Sequence, residues 1–317
     1  MHKGLEEFLM PTTDSASLKA EAQRLRRAPE HQAAIDEFDA ASRRKVYGLN
    51  LLFVATAVAF FLAGQTWWMA VACTLVNGFV ALPYLRVFIH SEVHWGLGRT
   101  AWQTRYLRYL AFAPYQVPFE AYRLGHFAHH RYDNDVPERG LAKDRQSTYL
   151  YSPAGKPVNF LVWAAHYLFV YQYFHQVRLV VGKASRRKLA EFFAQLAVVV
   201  ALDVALLILV PRFALFVLIP SLAIAWAGSA IVLYMMHDVV KDDAVHHHSV
   251  NSYAKFFNSF GDNDGLHVVH SMLPFLHPYH APAIDRLIKD DLHPDQVVQG
   301  HYITEFAKRR ITSVVSR

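Results

Sequence analysis

Nineteen histidines stand among the 317 residues, and those that can do chemistry are grouped at helical spacing. His90 and His94, in His90-Ser91-Glu92-Val93-His94, are four apart, so a helix would put both imidazoles on one face about 6 Å from each other, within reach of one metal ion. A pair of interfacial histidines would show the same spacing, so this pair alone leaves the chemistry open. Glu92 stands one place too late for a zinc peptidase helix, which needs the acid directly after the first histidine. The next group, Gly125-His126-Phe127-Ala128-His129-His130, is denser. His126 and His130 share a face, whereas His129 points about 100° away and can address a second ion. A third group follows Met236: His237, then His246 to His248, then His267 and His270 in Asn263-Asp264-Gly265-Leu266-His267-Val268-Val269-His270. The run His246 to His248 reads either as ligands or as a polar loop.

His90, His94, His126, His129, His130, His237, His267 and His270 exceed the roughly four to six donors one ion takes, so the pattern calls for two ions. Nitrogen-rich ligation suits iron and dioxygen chemistry, although imidazole also binds zinc, copper and nickel. The single cysteine, Cys73, excludes a disulfide within the chain, a cysteine-ligated cluster and a cysteine-rich zinc site. Carboxylates are needed around the imidazoles to fix their tautomers, and Glu92, Asp133, Asp135, Asp238 and Asp264 are available.

The elements that must carry these residues are apolar helices. Hydrophobic residues make up 53% of the chain and charged ones only 18%, a balance that leans towards a membrane. Apolar runs cover 46–64, 67–89, 189–210 and 213–236, each near the roughly 20 residues that cross a bilayer as a helix. Gln65-Thr66 and Pro211-Arg212 are the only connections inside the two pairs, which makes two tight hairpins. The expected fold is an all-α integral membrane protein: four spans in two hairpins, with a cytosolic helical cap holding the metal site. Residues 1–45 read as a polar cytosolic lead-in, and 46–317 as a single domain. Cations crowd before the first span (Arg24, Arg26, Arg27, Arg43, Arg44, Lys45) and the third (Lys183, Arg186, Arg187, Lys188), so both termini and every clustered histidine are expected to face the cytoplasm. The net charge of +6 is thus topological and does not imply nucleic acid. Stretches 106–119 and 160–181 are too short or too interrupted to span and read as interfacial or re-entrant helices. Asp203 inside the third run is costly at membrane depth and needs a partner or a cavity.

In combination the three groups resemble the membrane fatty acid desaturase and hydroxylase superfamily, whose boxes run H-x(3,4)-H, H-x(2,3)-H-H and H-x(2,3)-H-H. The resemblance covers about residues 46–280, and His237 matches the family's lone histidine before the third box. Asn263 to Pro278 is similar to the third box of a bacterial branch that includes acyl desaturases, acetylenases and terminal-alkene-forming decarboxylases. Two positions depart: Ser271 stands where the box has its final histidine, and Pro278 where it has tryptophan. His277 and His280 are candidates for the missing ligand, as are His246 to His248. The resemblance implies two ferrous ions, dioxygen as co-substrate and oxidation of a fatty acyl chain, desaturation first, with hydroxylation or oxidative decarboxylation to a terminal alkene as alternatives.

A fatty acyl substrate could arrive as free acid, acyl-CoA, acyl carrier protein or lipid. Trp163, Tyr167, Phe169, Tyr171, Tyr173 and Phe174 either line an acyl tunnel or anchor an interfacial helix. Lys183 to Lys188 meet a carrier's phosphates or anionic lipid headgroups. No H-P-G-G or G-x-G-x-x-G stretch and no cysteine set is present, so electrons come from a separate donor such as ferredoxin and its reductase. Two other classes remain in view: a divalent metal transporter, which would carry ligands along a path inside the spans, and a b-type cytochrome, which needs facing histidines at the midplane.

Overall fold

A computed structural model describes residues 15–132, 159–237 and 246–315; Asp133, Asp135 and Asp238 lie outside them. The described chain is almost wholly helical: α1 Ser15–Arg27, α2 Pro29–Leu62, α3 Trp67–His94, α4 Ala101–Tyr106, α5 Phe119–Tyr132, α6 Phe160–His166, α7 Gln176–Lys183, α8 Arg186–Leu209, α9 Pro211–His237, α10 Lys255–Phe260, α11 His267–Met272, α12 Ala281–Ile288 and α13 Tyr302–Val315. A π-helical stretch, Tyr167–His175, joins α6 to α7. The sheet is one parallel pair, β1 Asn251–Ser252 on β2 Val297–Val298.

The four long apolar helices α2, α3, α8 and α9 have mean hydropathies of 1.8, 1.6, 2.6 and 2.2 and are long enough to cross a membrane. Their outward faces carry Leu51, Phe61, Trp67, Trp68, Ile208, Leu209 and Phe216, all exposed. Only 17% of the apolar window of α8 is buried, a surface that water would not tolerate and that lipid accommodates without cost. The protein is therefore an all-α, multi-pass integral membrane protein. The α2–α3 connection turns tightly because Gly64 (φ 69°) and Gln65 (φ 57°) take left-handed backbone. Ser185 caps α8 by accepting from the Lys188 amide, and α8 ends at Leu209, two residues before Pro211, whose ring cannot continue it. The first span belongs to a longer helix than its apolar run: α2 begins at Pro29, because the Ala- and Glu-containing stretch before Val46 is itself helix-forming.

The described residues fall into two compact units. The span unit comprises Asp39–His126 and Ala164–Ala230; the terminal unit comprises Met1–Phe38, Phe127–Trp163 and Ile231–Arg317. In the span unit Gly78, in a π-turn of α3, lies so close to α9 that a Cβ there would sit 2.9 Å from Cβ of Ile224. Asp203 of α8 accepts from Gln116 Nε2 at 2.8 Å, so the carboxylate in the third run has a local partner. In the terminal unit Leu18, Ala22 and Leu25, spaced as one face of α1, join Leu266, Val268, Val269 and Met272 around α11, and Ile284 and Ile288 of α12. Burial of that face fixes α11.

Candidate metal centre

In the span unit, α3 and α5 bring three imidazoles together. His90 and His94 lie one turn apart at the end of α3, and His126 approaches from α5. The ring centroids are 4.6–4.9 Å apart, the planes are nearly perpendicular, and Nε2 of His94 is 2.6 Å from Nε2 of His126. Tyr122 stacks on His126 and holds its plane.

The terminal unit holds two further groupings. His129 of α5, His237 at the end of α9 and His267 at the start of α11 are all buried, and their ligand atoms lie within 4.8 Å of one another. Nε2 of His237 and His267 are 3.0 Å apart. His130 meets His270, again with 3.0 Å between Nε2 atoms. Two nitrogens bound to one ion at about 2.1 Å, at right angles, stand about 3.0 Å apart. Perpendicular rings with nitrogens converging at that separation suit a shared cation. A single N–H···N hydrogen bond between neutral imidazoles would account for one such pair, but not for three rings whose ligand atoms all lie within 4.8 Å of one another. The donor set fits metal ions, and all eight histidines singled out by spacing belong to one of these groupings.

The polar residues around them position the loops. Glu92, fully buried, accepts from the backbone N–H of Leu97 (2.7 Å) and Gly98 (3.3 Å) and from Arg108 Nε (2.7 Å). It clamps the chain leaving α3, and so holds His90 and His94 by way of the backbone. Asn251 is the corresponding device in the terminal unit. Its Oδ1 accepts from the Val268 N–H at 2.8 Å and its Nδ2 donates to Asp285 at 2.8 Å, which pins the first turn of α11 and with it His267 and His270. Burial pushes the Asp285 carboxyl above its usual range against the pull of Tyr253 and Asn251. Gly265 is required just before α11, since a Cβ there would stand 2.7 Å from the Ser252 carbonyl oxygen. Asp264 lies in the turn leading into it, its amide donating to Gly261 at 3.0 Å.

The histidines considered as substitutes go elsewhere. His277 packs edge-on against Phe38 and accepts from the Tyr279 N–H, and His280 packs against His31. Burial first, then His31 and His277, pushes His280 down to about 4. His246 lies 3.8 Å from Asp291, and His247, held down to about 3 chiefly by burial, pairs with Ser249. None of them is in the described clusters. Among the aromatics between α5 and α8, Trp163 and Tyr167 are buried and Phe169 and Phe174 exposed. Of the basic cluster before α8, Lys188 pairs with Glu120 and Glu191, and Arg187 with Glu191.

Sequence reasoning passed over two residues. Arg86, one turn before His90, is buried within α3 and hydrogen-bonds the Tyr167 phenol; an arginine inside Leu85-Arg86-Val87-Phe88-Ile89 was the available signal. Glu120, completely buried, holds Arg123 and Lys188 and so fixes the start of α5, the helix that carries three of the histidines.

A family model described as fatty acid desaturase matches residues 65–302, a stretch that includes all eight clustered histidines. The chain belongs to the fatty acid desaturase family. No curated protein matches it.

Proposed function

We propose that this chain is a membrane-bound di-iron oxidoreductase that uses dioxygen to oxidise a fatty acyl chain, with desaturation as the leading outcome. One observation carries the reading: α5 bears three histidines, and ring nitrogens from other helices converge on each, His90 and His94 on His126, His237 and His267 on His129, His270 on His130. His129, His237 and His267 would hold one iron. His90, His94 and His126 would hold the other, with His130 and its partner His270 one turn further along the same helix. Bound iron would supply the oxidising power needed to take hydrogen from an unactivated methylene.

The chain's own groups do the rest. Imidazoles buried to 9% exposure or less keep bulk water from most of the ligand shell. Glu92 and Asn251 fix the backbone of the ligands so that the metal positions do not drift, and placement to a fraction of an ångström decides between a second hydrogen loss, giving an alkene, and hydroxylation. Oxidative decarboxylation to a terminal alkene is the third outcome of the same site. The acyl chain would enter from the bilayer as free acid, thioester or lipid. Electrons would come from a separate carrier such as ferredoxin with its reductase, on the cytoplasmic face of a bacterial inner membrane. Metal transport draws little support, because the carboxylate inside a span, Asp203, is bound by Gln116.

The deciding experiment is mass spectrometry of lipids and volatiles from cells expressing the protein, with His129→Ala as control. A new double bond, a new hydroxyl or a product one carbon shorter each names the reaction. A His129→Ala protein as active as the parent defeats the site assignment, and purified protein carrying one zinc and no iron defeats the di-iron reading.

A further inference from the structure

Ser271 is one of the two residues by which this chain departs from the third box it resembles, and its surroundings give that departure a meaning. It lies on α11 four residues after His267, hence one turn on and on the same helix face. It is 3% exposed, and its Oγ has no hydrogen-bond partner among the described residues. Other buried serines do otherwise: Ser91 and Ser221 bond back to the carbonyls of Val87 and Val217, and Ser229 accepts from Tyr115. A buried hydroxyl that declines the carbonyl of its own helix, on the face of a metal-binding histidine, is aimed at something else.

We infer that Ser271 makes the ion of His129, His237 and His267 a three-imidazole site, whose next position is given to an exchangeable oxygen ligand to which the Ser271 hydroxyl donates. This rests on the metal reading above and deepens it. Among the described residues that grouping has three histidine donors and no fourth. Neither His277 nor His280 nor any of His246 to His248 belongs to that grouping, so none takes the place left by the serine. A hydroxyl is a poor ligand for ferrous iron but a good donor to a bound oxygen. The two ions are therefore unequal, the one beside Ser271 being the more weakly held and the one with a replaceable ligand.

The test uses the full-length protein in detergent or nanodiscs, loaded with Co(II), in a Cys73→Ser background that removes the one native thiol. Ser271→Cys places a thiolate at the inferred position, and a cysteine-to-cobalt charge-transfer band is expected, absent from the parent. Independently, the parent should lose one of two ions to a chelator faster than the other, and Ser271→His should slow that loss at least about tenfold. Two bound ions with no charge-transfer band in Ser271→Cys overturn the proposal. Equal release of both ions from the parent, or a Ser271→His protein that releases its ions as the parent does, overturns it as well. Should the cysteine variant fail to fold, chelator release from parent and Ser271→His decides alone. A parent that binds fewer than two ions refutes the two-metal reading itself, a different result from any of these.

Discussion

His129 leaves α5 on a different side from His126 and His130, and its partners His237 and His267 come from two other helices. If the chain holds two irons as proposed, His129→Ala should remove one and leave the other, so that iron falls from two towards one per chain while product formation drops about 100-fold; elemental analysis beside product mass spectrometry checks both. Glu92 calls for a different outcome. Its carboxylate is buried against two backbone amides and the partly exposed Arg108, so Glu92→Ala leaves the loop amides without their acceptor and should cost about 2 kcal/mol, seen as a lowered thermal midpoint in detergent. Glu92→Gln, which keeps an acceptor for the loop amides, should recover part of that loss. His280 makes a prediction about pH. Its folded value is pushed down to about 4 from the ordinary 6.5, so between these limits the unfolded chain binds a proton that the folded chain refuses. The stabilisation is complete above pH 6.5 and is lost as pH falls towards 4, and a His280→Gln protein should show a shallower decline of midpoint across that window.

At the scale of the elements, the approach of α3 to α9 depends on the absent side chain of Gly78. Gly78→Ala puts a methyl 2.9 Å from Cβ of Ile224, which should destabilise by about 1–3 kcal/mol; Ile224→Ala in the same chain removes the outer carbons but keeps that Cβ, and so should recover only part of the loss in thermal midpoint. No sequence pattern announces that pairing, since the two residues sit on different spans, and this is where reading the sequence stops. Histidines three or four apart are legible because a helix converts that spacing into one face, and the four spans are legible because a bilayer sets their length. What positions them is not. Asn251 reaches 17 residues ahead to Val268 and 34 to Asp285, and Gln116 reaches 87 to Asp203. Such contacts depend on tertiary approach, which local periodicity does not encode. Arg86 was visible as an arginine in an apolar run, but its partner Tyr167 was not. The start of α2 at Pro29 was hidden for the opposite reason: polar residues of good helix propensity extend a span without adding to its hydropathy.

For the whole molecule the open question is which side of the membrane each hairpin turn faces. By the alternation of four apolar runs along the sequence, the clustered histidines would fall on the same side as Arg43, Arg44 and Lys45 before the first run and Arg186 and Arg187 before the third, whereas the two turns inside the hairpins hold Arg212 as their one charged residue. On the proposed orientation, the bias of basic residues towards the cytoplasm would send both turns outward and the histidines inward, the side from which a cytoplasmic electron donor would reach them. Cysteine labelling checks this, because the single native thiol is buried in α3 and can be removed as Cys73→Ser. In that background Gln65→Cys and Arg212→Cys should react with a membrane-impermeant maleimide added to intact cells, while Arg44→Cys and Arg186→Cys should react only after the membrane is opened. The reverse pattern would put the metal centre on the outer face and rule out a cytoplasmic electron donor, and equal labelling of all four in intact cells would rule out a single orientation.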